Sequence, residues 1–146
     1  MEVDKRMTNT SLFIKSCGVI AYKNINNVNH YLIIRAINGD VGFPKGRMEN
    51  GESETETAVR ELGEETGVTV DLISDFRAVS EYRFPRKPEI KKQVVYFLGK
   101  CVNDKIVIQE SEVETAEFLP FDKALKMVSF EQTKSILQDA ENFLKK

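Results

Sequence analysis

The sequence predicts an α/β fold in which a central mixed β-sheet lies between two helices. Six runs of β-branched and aromatic residues are separated by turn signals, and two other segments carry apolar residues at helical spacing. Such a pattern is typical of layered proteins in which helices cover a sheet. At 146 residues the chain has the size of one domain, so we expect a single domain over residues 1–146.

The predicted strands begin with a hairpin. Residues 12–23 and 29–36 are β-rich, and the Asn-rich stretch NINNVN between them is a turn signal. The next stretch, NGDVGFPKG, contains three glycines and a proline and therefore indicates an irregular loop. Four later runs complete the predicted sheet: 76–84, 93–102, 105–109 and 115–120.

A helix is predicted over residues 53–66, directly after this loop. Ser53 and Glu56 have the spacing of a capping box, in which each side chain bonds to the backbone of the other residue. Gly67 stands where a left-handed residue would end the helix.

A second helix is predicted at the C-terminus. Ser129 and Gln132 again have capping-box spacing, and the apolar residues after them recur at helical intervals. We expect this amphipathic helix to begin at Ser129 and to close the domain.

The charge pattern excludes some classes of function. The formal net charge is -2 at pH 7, so there is no global positive field to hold a long nucleic acid.

Cys17 and Cys101 have no second Cys or His at metal-ligand spacing. The polar segment before Leu12 leads into an apolar run too short for a membrane span. We expect a cytoplasmic protein that acts on a small molecule, and the oligomeric state stays open.

The first predicted helix carries a cluster of carboxylates. Glu61, Glu64 and Glu65 lie at positions i, i+3 and i+4, which places them within about 100° of one another around the helix axis. Hard divalent cations prefer such oxygen ligands, and Mg²⁺ combines one or two carboxylates with water and phosphate oxygens. Taken alone, a Glu-rich helical face is more often only a solvated surface, so the spacing does not decide between these readings.

The wider sequence pattern favours the metal site. GRMENGESETETAVRELGEETGV, from Gly46 to Val68, resembles the Nudix box G-x5-E-x7-R-E-U-x-E-E-x-G-U, in which U is aliphatic, at every fixed position. The resemblance implies the Nudix α/β/α sandwich and a hydrolase that cuts phosphoanhydride bonds with a divalent metal, Mg²⁺ or alternatively Mn²⁺. It also implies that Glu61, Glu64, Glu65 and the backbone carbonyl of Gly46 bind the metal.

The resemblance assigns further catalytic residues. Arg60 would orient the carboxylates together with Glu52, although at i, i+4 to Glu64 it would by itself form only a surface ion pair. Two residues compete for the role of general base. Glu61 belongs to the box, and Glu112 resembles an extra glutamate that many relatives carry before a late strand.

Outside the box, residues 17–145 resemble the asymmetric diadenosine tetraphosphate hydrolases. The likeness rests on CGVIAY, FPKG, FRAVSEY, PRKPEIKKQVVYF, AEFLPFDKA and FEQTKSILQDAENFL. The stretch VGFPKG departs from the animal enzymes because it lacks their His and Trp before Pro-Lys-Gly. The implied reaction is hydrolysis of diadenosine tetraphosphate to ATP and AMP.

This resemblance also suggests substrate contacts, each with a plainer alternative. Tyr82 would stack on a base, or be half-buried packing on a strand. Lys91 or Lys92 would neutralise the polyphosphate, or be solubilising turn residues. Phe130 would contact the second nucleoside, but core packing is the favoured interpretation for a residue at a helix start. Arg35 or Lys45 would line the path of the phosphates.

Several rival functions remain within and outside this enzyme class. A Nudix cleft also suits an oxidised nucleotide, ADP-ribose or a 5′-triphosphate RNA as substrate, although the negative net charge argues against RNA. A catalytically silent module that senses a nucleotide and binds a partner is the alternative from another class. The complete set of box carboxylates argues against that module.

Overall fold

A computed structural model describes residues 12–146, and the polar segment that precedes them lies outside the described residues. Seven strands and three helices occur in this part of the chain. They are β1 (Leu12–Ile25), β2 (Val28–Ala36), β3 (Val41–Gly42), β4 (Lys45–Arg47), α1 (Glu54–Thr66), β5 (Thr69–Phe84), β6 (Lys87–Asn103), β7 (Val113–Pro120), α2 (Phe121–Met127) and α3 (Glu131–Leu144).

The described strands form one mixed sheet. Its main path runs β3-β2-β1-β6-β5, while β4 pairs with β1 and β7 pairs with β2. The central pair β1 and β6 is parallel, with Cys17 opposite Val95, and the other described pairs are antiparallel. A parallel pair needs a crossover connection, and here that crossover contains the predicted helix α1.

Helices cover both faces of the sheet. On one face, Ala58 and Leu62 of α1 are fully buried against β1 residues such as Val19. On the other face, Leu137 and Ala140 of α3 join a second apolar cluster, to which Ala124 of α2 and Ile20 and Tyr96 of the sheet also belong. A fully buried leucine contributes about 1.5–3 kcal/mol relative to an exposed one. The predicted α/β/α sandwich is therefore confirmed, with two helices instead of one on the second face.

The hairpin between β1 and β2 forms as predicted. Asn26 and Asn27 have φ angles of 52° and 69°, and Ile25 pairs with Val28 across the turn. Two consecutive residues with positive φ are the signature of the type I′ turn, which matches the natural twist of two antiparallel strands. Asparagine tolerates this region of backbone space better than most residues.

Both predicted caps of α1 are present. Ser53 and Glu56 form the reciprocal capping box, and the Ser53 side chain accepts a hydrogen bond from the Glu56 backbone N–H. At the other end Gly67 adopts the left-handed conformation with a φ of 75° and donates its N–H to the Gly63 carbonyl at 2.9 Å. The caps fix the two ends of the helix that carries the carboxylates.

The predicted strand at 105–109 is wrong. These residues run beside the end of α1, where Val107 N–H donates to the Thr66 carbonyl at 2.8 Å and Gln109 N–H donates to the Glu65 carbonyl at 3.0 Å. The last carbonyls of a helix have no partner within the helix. The segment supplies those missing donors instead of joining the sheet.

The predicted cap at Ser129 is also wrong, and α2 was not predicted. Helix α3 begins at Glu131 with Phe130 as its N-cap residue, and it has no side-chain cap hydrogen bond. The Ser129 Oγ accepts instead from the Val41 backbone N–H at 2.8 Å. The Gln132 side chain bonds to β5. Both side chains serve tertiary contacts rather than the helix end.

None of the helices described here has the length and apolar character needed to cross a bilayer.

We expect Gly67→Ala to lower the free energy of unfolding by about 1 kcal/mol, because a Cβ makes the left-handed conformation unfavourable. Chemical denaturation measures this difference. The matched control is Gly63→Ala within α1, where a new Cβ meets no atom within 4 Å and the φ angle is not positive. Alanine is the better helix former, so the control should be neutral or more stable by up to about 1 kcal/mol. Equal effects of the two substitutions would contradict the assigned cap.

Candidate active site

Two adjoining cavities occur in the described part of the chain. The acidic cavity has a volume of about 370 Å³ and is lined by Ser16, Lys45, Gly46, Arg47, Glu61, Glu64, Glu65, Lys92, Gln109 and Glu112. The aromatic cleft has a volume of about 670 Å³, and Tyr82, Phe84, Tyr96 and Phe130 are among the residues that line it. Lys45, Glu65 and Glu112 line both cavities, so the two form one continuous recess.

Strand β4 brings the loop before α1 against the carboxylates. It pairs with β1 so that Gly46 lies opposite Cys17. A Cβ on Gly46 would overlap the Glu61 carboxyl group, so only glycine allows this close approach.

Arg60 is the centre of an ion-pair network on α1. Its guanidinium donates two hydrogen bonds to Glu52, at 2.5 Å and 3.0 Å, and one each to Glu61 at 3.0 Å and Glu64 at 3.1 Å. A further bond reaches the Arg47 carbonyl at 3.1 Å. The hydrogen bonds from Arg60 hold the pKa of Glu52 at about 2, well below its usual range. The expected pairing of Arg60 with Glu52 is present in the structure.

Glu65 is the buried member of the carboxylate cluster. Its side chain is only 8% exposed, and burial together with a hydrogen bond to Glu61 and the charge of Glu61 raises its pKa to about 8. Two carboxyl groups this close do not readily both ionise, because each negative charge disfavours the other. A cation beside the pair would remove that repulsion.

The carboxylate cluster is not arranged as a preformed metal site. In residues 12–146, no group of three or more acidic, His or Cys side chains is arranged to hold a metal ion. The Glu64 carboxylate is turned onto Arg60, and Glu61 is shared between Arg60 and Glu65. The oxygen donors suit Mg²⁺ or Mn²⁺ in kind. The donor set therefore fits a hard cation, provided that the Glu64 carboxylate gives up its hydrogen bond to Arg60 and binds the ion instead.

Three cationic side chains face the carboxylates across the acidic cavity. Lys45, Arg47 and Lys92 line it, and burial followed by the charges of Lys45 and Arg47 lowers the pKa of Lys92 to about 8. Clustered cations attract an anionic ligand. Arg47 was not predicted, although its place directly after Gly46 in the box was an available signal.

The aromatic cleft contains two of the predicted contact residues. Tyr82 is 42% exposed and packs edge-on against Phe84, with ring centroids 6.0 Å apart. Phe130 is 56% exposed, so the favoured interpretation of core packing is wrong. Phe43 and Tyr96 are buried in the cleft lining and contact each other edge-on.

Two other predicted contacts lie outside both cavities. Arg35 donates to the Gly39 carbonyl and lies 3.8 Å from the Glu114 carboxylate. Lys91 pairs with Glu81 at 3.2 Å. Adjacent residues of a strand point to opposite faces of the sheet, so the structure brings only Lys92 of the two lysines to the site.

Several lining residues gave no clear sequence signal. Gln109 and Gln132 are examples, since each lies far along the chain from the box, and Asp40, six residues before Gly46, is a third. The bonds between Gln109 N–H and the Glu65 carbonyl, and between Gln132 and β5, bring two of them to the site. Those contacts are tertiary and leave no periodic pattern in the sequence.

The box residues, from Gly46 on β4 to the glutamates of α1, lie within a segment that matches a family model. The family model described as NUDIX domain matches residues 18–139. The chain belongs to the NUDIX family. This confirms the assignment as a Nudix hydrolase that the box implied.

Individual relatives extend the match over most of this NUDIX chain. It is 30% identical over 143 residues to the asymmetrical bis(5'-nucleosyl)-tetraphosphatase of Rattus norvegicus, covering 90% of this chain and 95% of that protein. A solved Caenorhabditis elegans Ap4A hydrolase binary complex is similar with a TM-score of 0.82 and 25% identity, covering 90% of this chain and 98% of that one. The NUDIX domain of Shewanella oneidensis NrtR, solved with ADP ribose, has a TM-score of 0.74 and 18% identity over 99% of both chains, which shows the shared fold.

In this NUDIX chain we expect Gly46→Ala to weaken the binding of Mg²⁺ or Mn²⁺ by at least about tenfold, since disturbing the supports of metal ligands has effects of this order. The new Cβ must push the Glu61 carboxylate or β4 aside. Calorimetric titration with each ion measures the change, and circular dichroism checks the fold. Gly63→Ala, with open space around its Cβ, is the control and should bind the ions like the parent chain. Unchanged binding in Gly46→Ala would show that this contact does not matter for the ion.

Proposed function

We propose that this chain is a divalent-metal-dependent pyrophosphohydrolase that cleaves diadenosine tetraphosphate to ATP and AMP. The observation that carries the proposal is the continuity of the acidic cavity with the aromatic cleft through Lys45, Glu65 and Glu112. A nucleoside in the cleft would extend its phosphate chain directly over the carboxylates. The similarity to asymmetrical bis(5'-nucleosyl)-tetraphosphatases supports this substrate.

The metal is Mg²⁺ in this proposal, with Mn²⁺ as the alternative. Glu61, Glu64, Glu65 and the Gly46 carbonyl would hold it, as the box implies. When bound, such an ion activates water and neutralises phosphate charge. Arg60 keeps the carboxylates of the cluster close together despite their repulsion.

Glu112 is the general base that we favour over Glu61. Glu61 already accepts a hydrogen bond from Arg60 and shares one with Glu65, whereas Glu112 is exposed and lines both cavities. The Glu112 backbone is held at both ends, since its N–H donates to Gln109 and its carbonyl accepts from Ile37. A carboxylate held at the junction of the cavities is placed to take a proton from water that attacks phosphorus.

The cationic side chains supply phosphate binding in this scheme. Lys45 lies at the junction of the cavities, and Arg47 and Lys92 continue the positive wall beside the carboxylates. Tyr82 and Phe130 would hold the bases, because exposed aromatic rings in a cleft offer stacking surfaces. Arg35 and Lys91 have no place in the proposed contacts.

The other functions considered from the sequence have less support. Oxidised nucleotides, ADP-ribose and 5′-triphosphate RNA fit the same chemistry, but no feature of the described cleft favours one of them over a dinucleoside polyphosphate. A silent sensor would not need all three carboxylates and the Arg60 network. A single domain over residues 1–146 and residence in the cytoplasm stay predictions.

We expect Glu64→Gln to lower turnover by more than about a hundredfold, because an amide is a poor ligand for a hard cation. Chromatography of products should show ATP and AMP from diadenosine tetraphosphate with Mg²⁺ and the parent chain. ADP-ribose, 8-oxo-dGTP and 5′-triphosphate RNA are the comparison substrates. Glu117→Gln removes an exposed carboxylate that lines neither cavity and should keep full activity. Faster cleavage of another substrate would overturn the proposed substrate, and the absence of any cleavage would favour the silent sensor.

We expect Tyr82→Ala to raise KM for diadenosine tetraphosphate by about tenfold with little change in kcat, because stacking on one base is worth about 1–3 kcal/mol. Steady-state kinetics separate the two constants. Tyr82→Phe keeps the ring and serves as the matched control, with KM close to that of the parent chain. A fall in kcat at unchanged KM would assign Tyr82 to the chemical step and contradict its role as a base platform.

A further inference from the structure

Ser129, just before α3, and Gln132, in its first turn, are bonded to two strands that border the aromatic cleft. Ser129 N–H donates to the Val41 carbonyl at 2.9 Å, and the Ser129 Oγ accepts from the Val41 N–H at 2.8 Å. Three residues later, Gln132 bonds to Ser80 and Glu81 of β5. The segment thereby connects β3 and β5 across the cleft.

The Gln132 amide is bonded through both of its polar atoms. Its Oε1 accepts from the Ser80 Oγ at 2.8 Å and from the Glu81 N–H at 3.2 Å, while its Nε2 donates to the Glu81 carbonyl at 3.0 Å. Strand β5 stands at the end of the main sheet path, so among the described residues no further strand pairs with the outer side of its backbone. The amide supplies the donor and the acceptor that a neighbouring strand would provide.

These contacts replace the cap that the sequence predicted. Ser129 and Gln132 have capping spacing, yet α3 begins without a side-chain cap hydrogen bond. A helix end without a cap frays more easily than a capped one. Both polar side chains are instead committed to holding the helix against the sheet.

The bonded residues flank both aromatic walls of the cleft. Phe130 lies between Ser129 and Gln132 in the chain, and Tyr82 directly follows Glu81, whose backbone Gln132 binds. Both rings are substantially exposed and line the cleft. A single amide therefore links the segment that carries Phe130 to the strand that carries Tyr82.

We propose that Gln132 is a positioning residue that sets the separation of Phe130 and Tyr82, so that nucleoside bases bind between preorganised walls. This assignment rests on the proposed function of the cleft. A ring held in place before binding loses less conformational freedom when the ligand arrives. Gln132 acts through Phe130, and Phe130 makes the contact with the nucleoside.

The test measures ATP binding by calorimetry in the presence of Mg²⁺, which does not depend on turnover. Gln132→Met keeps the length of the side chain and removes all three hydrogen bonds. Gln132→Glu keeps the acceptor for Ser80 and the Glu81 N–H but loses the donor to the Glu81 carbonyl. Gln138→Met is the matched control on the same helix, since Gln138 is exposed and bonds only to Asn142. Thermal unfolding is followed for every variant.

We expect Gln132→Met to weaken ATP binding by about tenfold, on the scale of one lost stacking contact. Gln132→Glu should weaken it at least as much, because a carboxylate oxygen would then face the Glu81 carbonyl. Gln138→Met should bind ATP like the parent chain. In a Phe130→Ala background, Gln132→Met should have no further effect, because residues that act through one another are not additive. In kinetics, KM should rise while kcat stays unchanged.

Two results would overturn the positioning role. One is unchanged ATP binding in Gln132→Met, and the other is an equal loss in the parent and Phe130→Ala backgrounds, which would indicate an effect independent of Phe130. Unchanged ATP binding in Phe130→Ala would also count against the positioning role, because Gln132 is proposed to act through Phe130. A failure of the proposed function has a different signature, namely that the parent chain does not bind ATP. That outcome removes the nucleoside site and the role of Gln132 with it.

Discussion

The Arg60 guanidinium is the interaction on which the candidate site depends. The described residues place four glutamates around it: Glu49, Glu52, Glu61 and Glu64. Without this cation, like charges at helical spacing would repel one another and separate. A planar guanidinium can hold several carboxylates at once, which the compact ammonium of lysine does less well. Arg60 thus holds a cluster of negative charge beside the buried face of α1.

The fold places this cluster by a short chain of contacts. The parallel pairing of β1 with β6 requires a crossover, and α1 lies within it. Strand β4 pairs with β1 and sets Gly46 against Glu61, while residues 105–109 bond to the end of α1 and lead to Glu112. The carboxylates, the cations and the proposed base therefore come from segments that are far apart in sequence and line one cavity.

The sequence was informative where local chemistry decides the structure. The Asn26–Asn27 turn, the Ser53 and Glu56 capping box and the Gly67 end of α1 all formed as predicted, because each depends on residues within one turn. Prediction failed where a local pattern met a stronger tertiary partner. Residues 105–109 paired with helix carbonyls instead of a strand, and Ser129 and Gln132 bonded to β3 and β5 instead of a helix end.

The sequence by itself determined the fold class, the family and the identity of the carboxylate helix, because the nine fixed positions of the box lie within one short segment. Only the tertiary structure decided that Lys92 rather than Lys91 faces the carboxylates, that Arg35 stands outside, and that Phe130 is exposed in the cleft. For the strand residues the physical reason is that side-chain direction changes with each residue, and for Phe130 it is that tertiary bonds place the start of α3. Which face borders a cavity is set by distant partners, and a single sequence does not specify those partners.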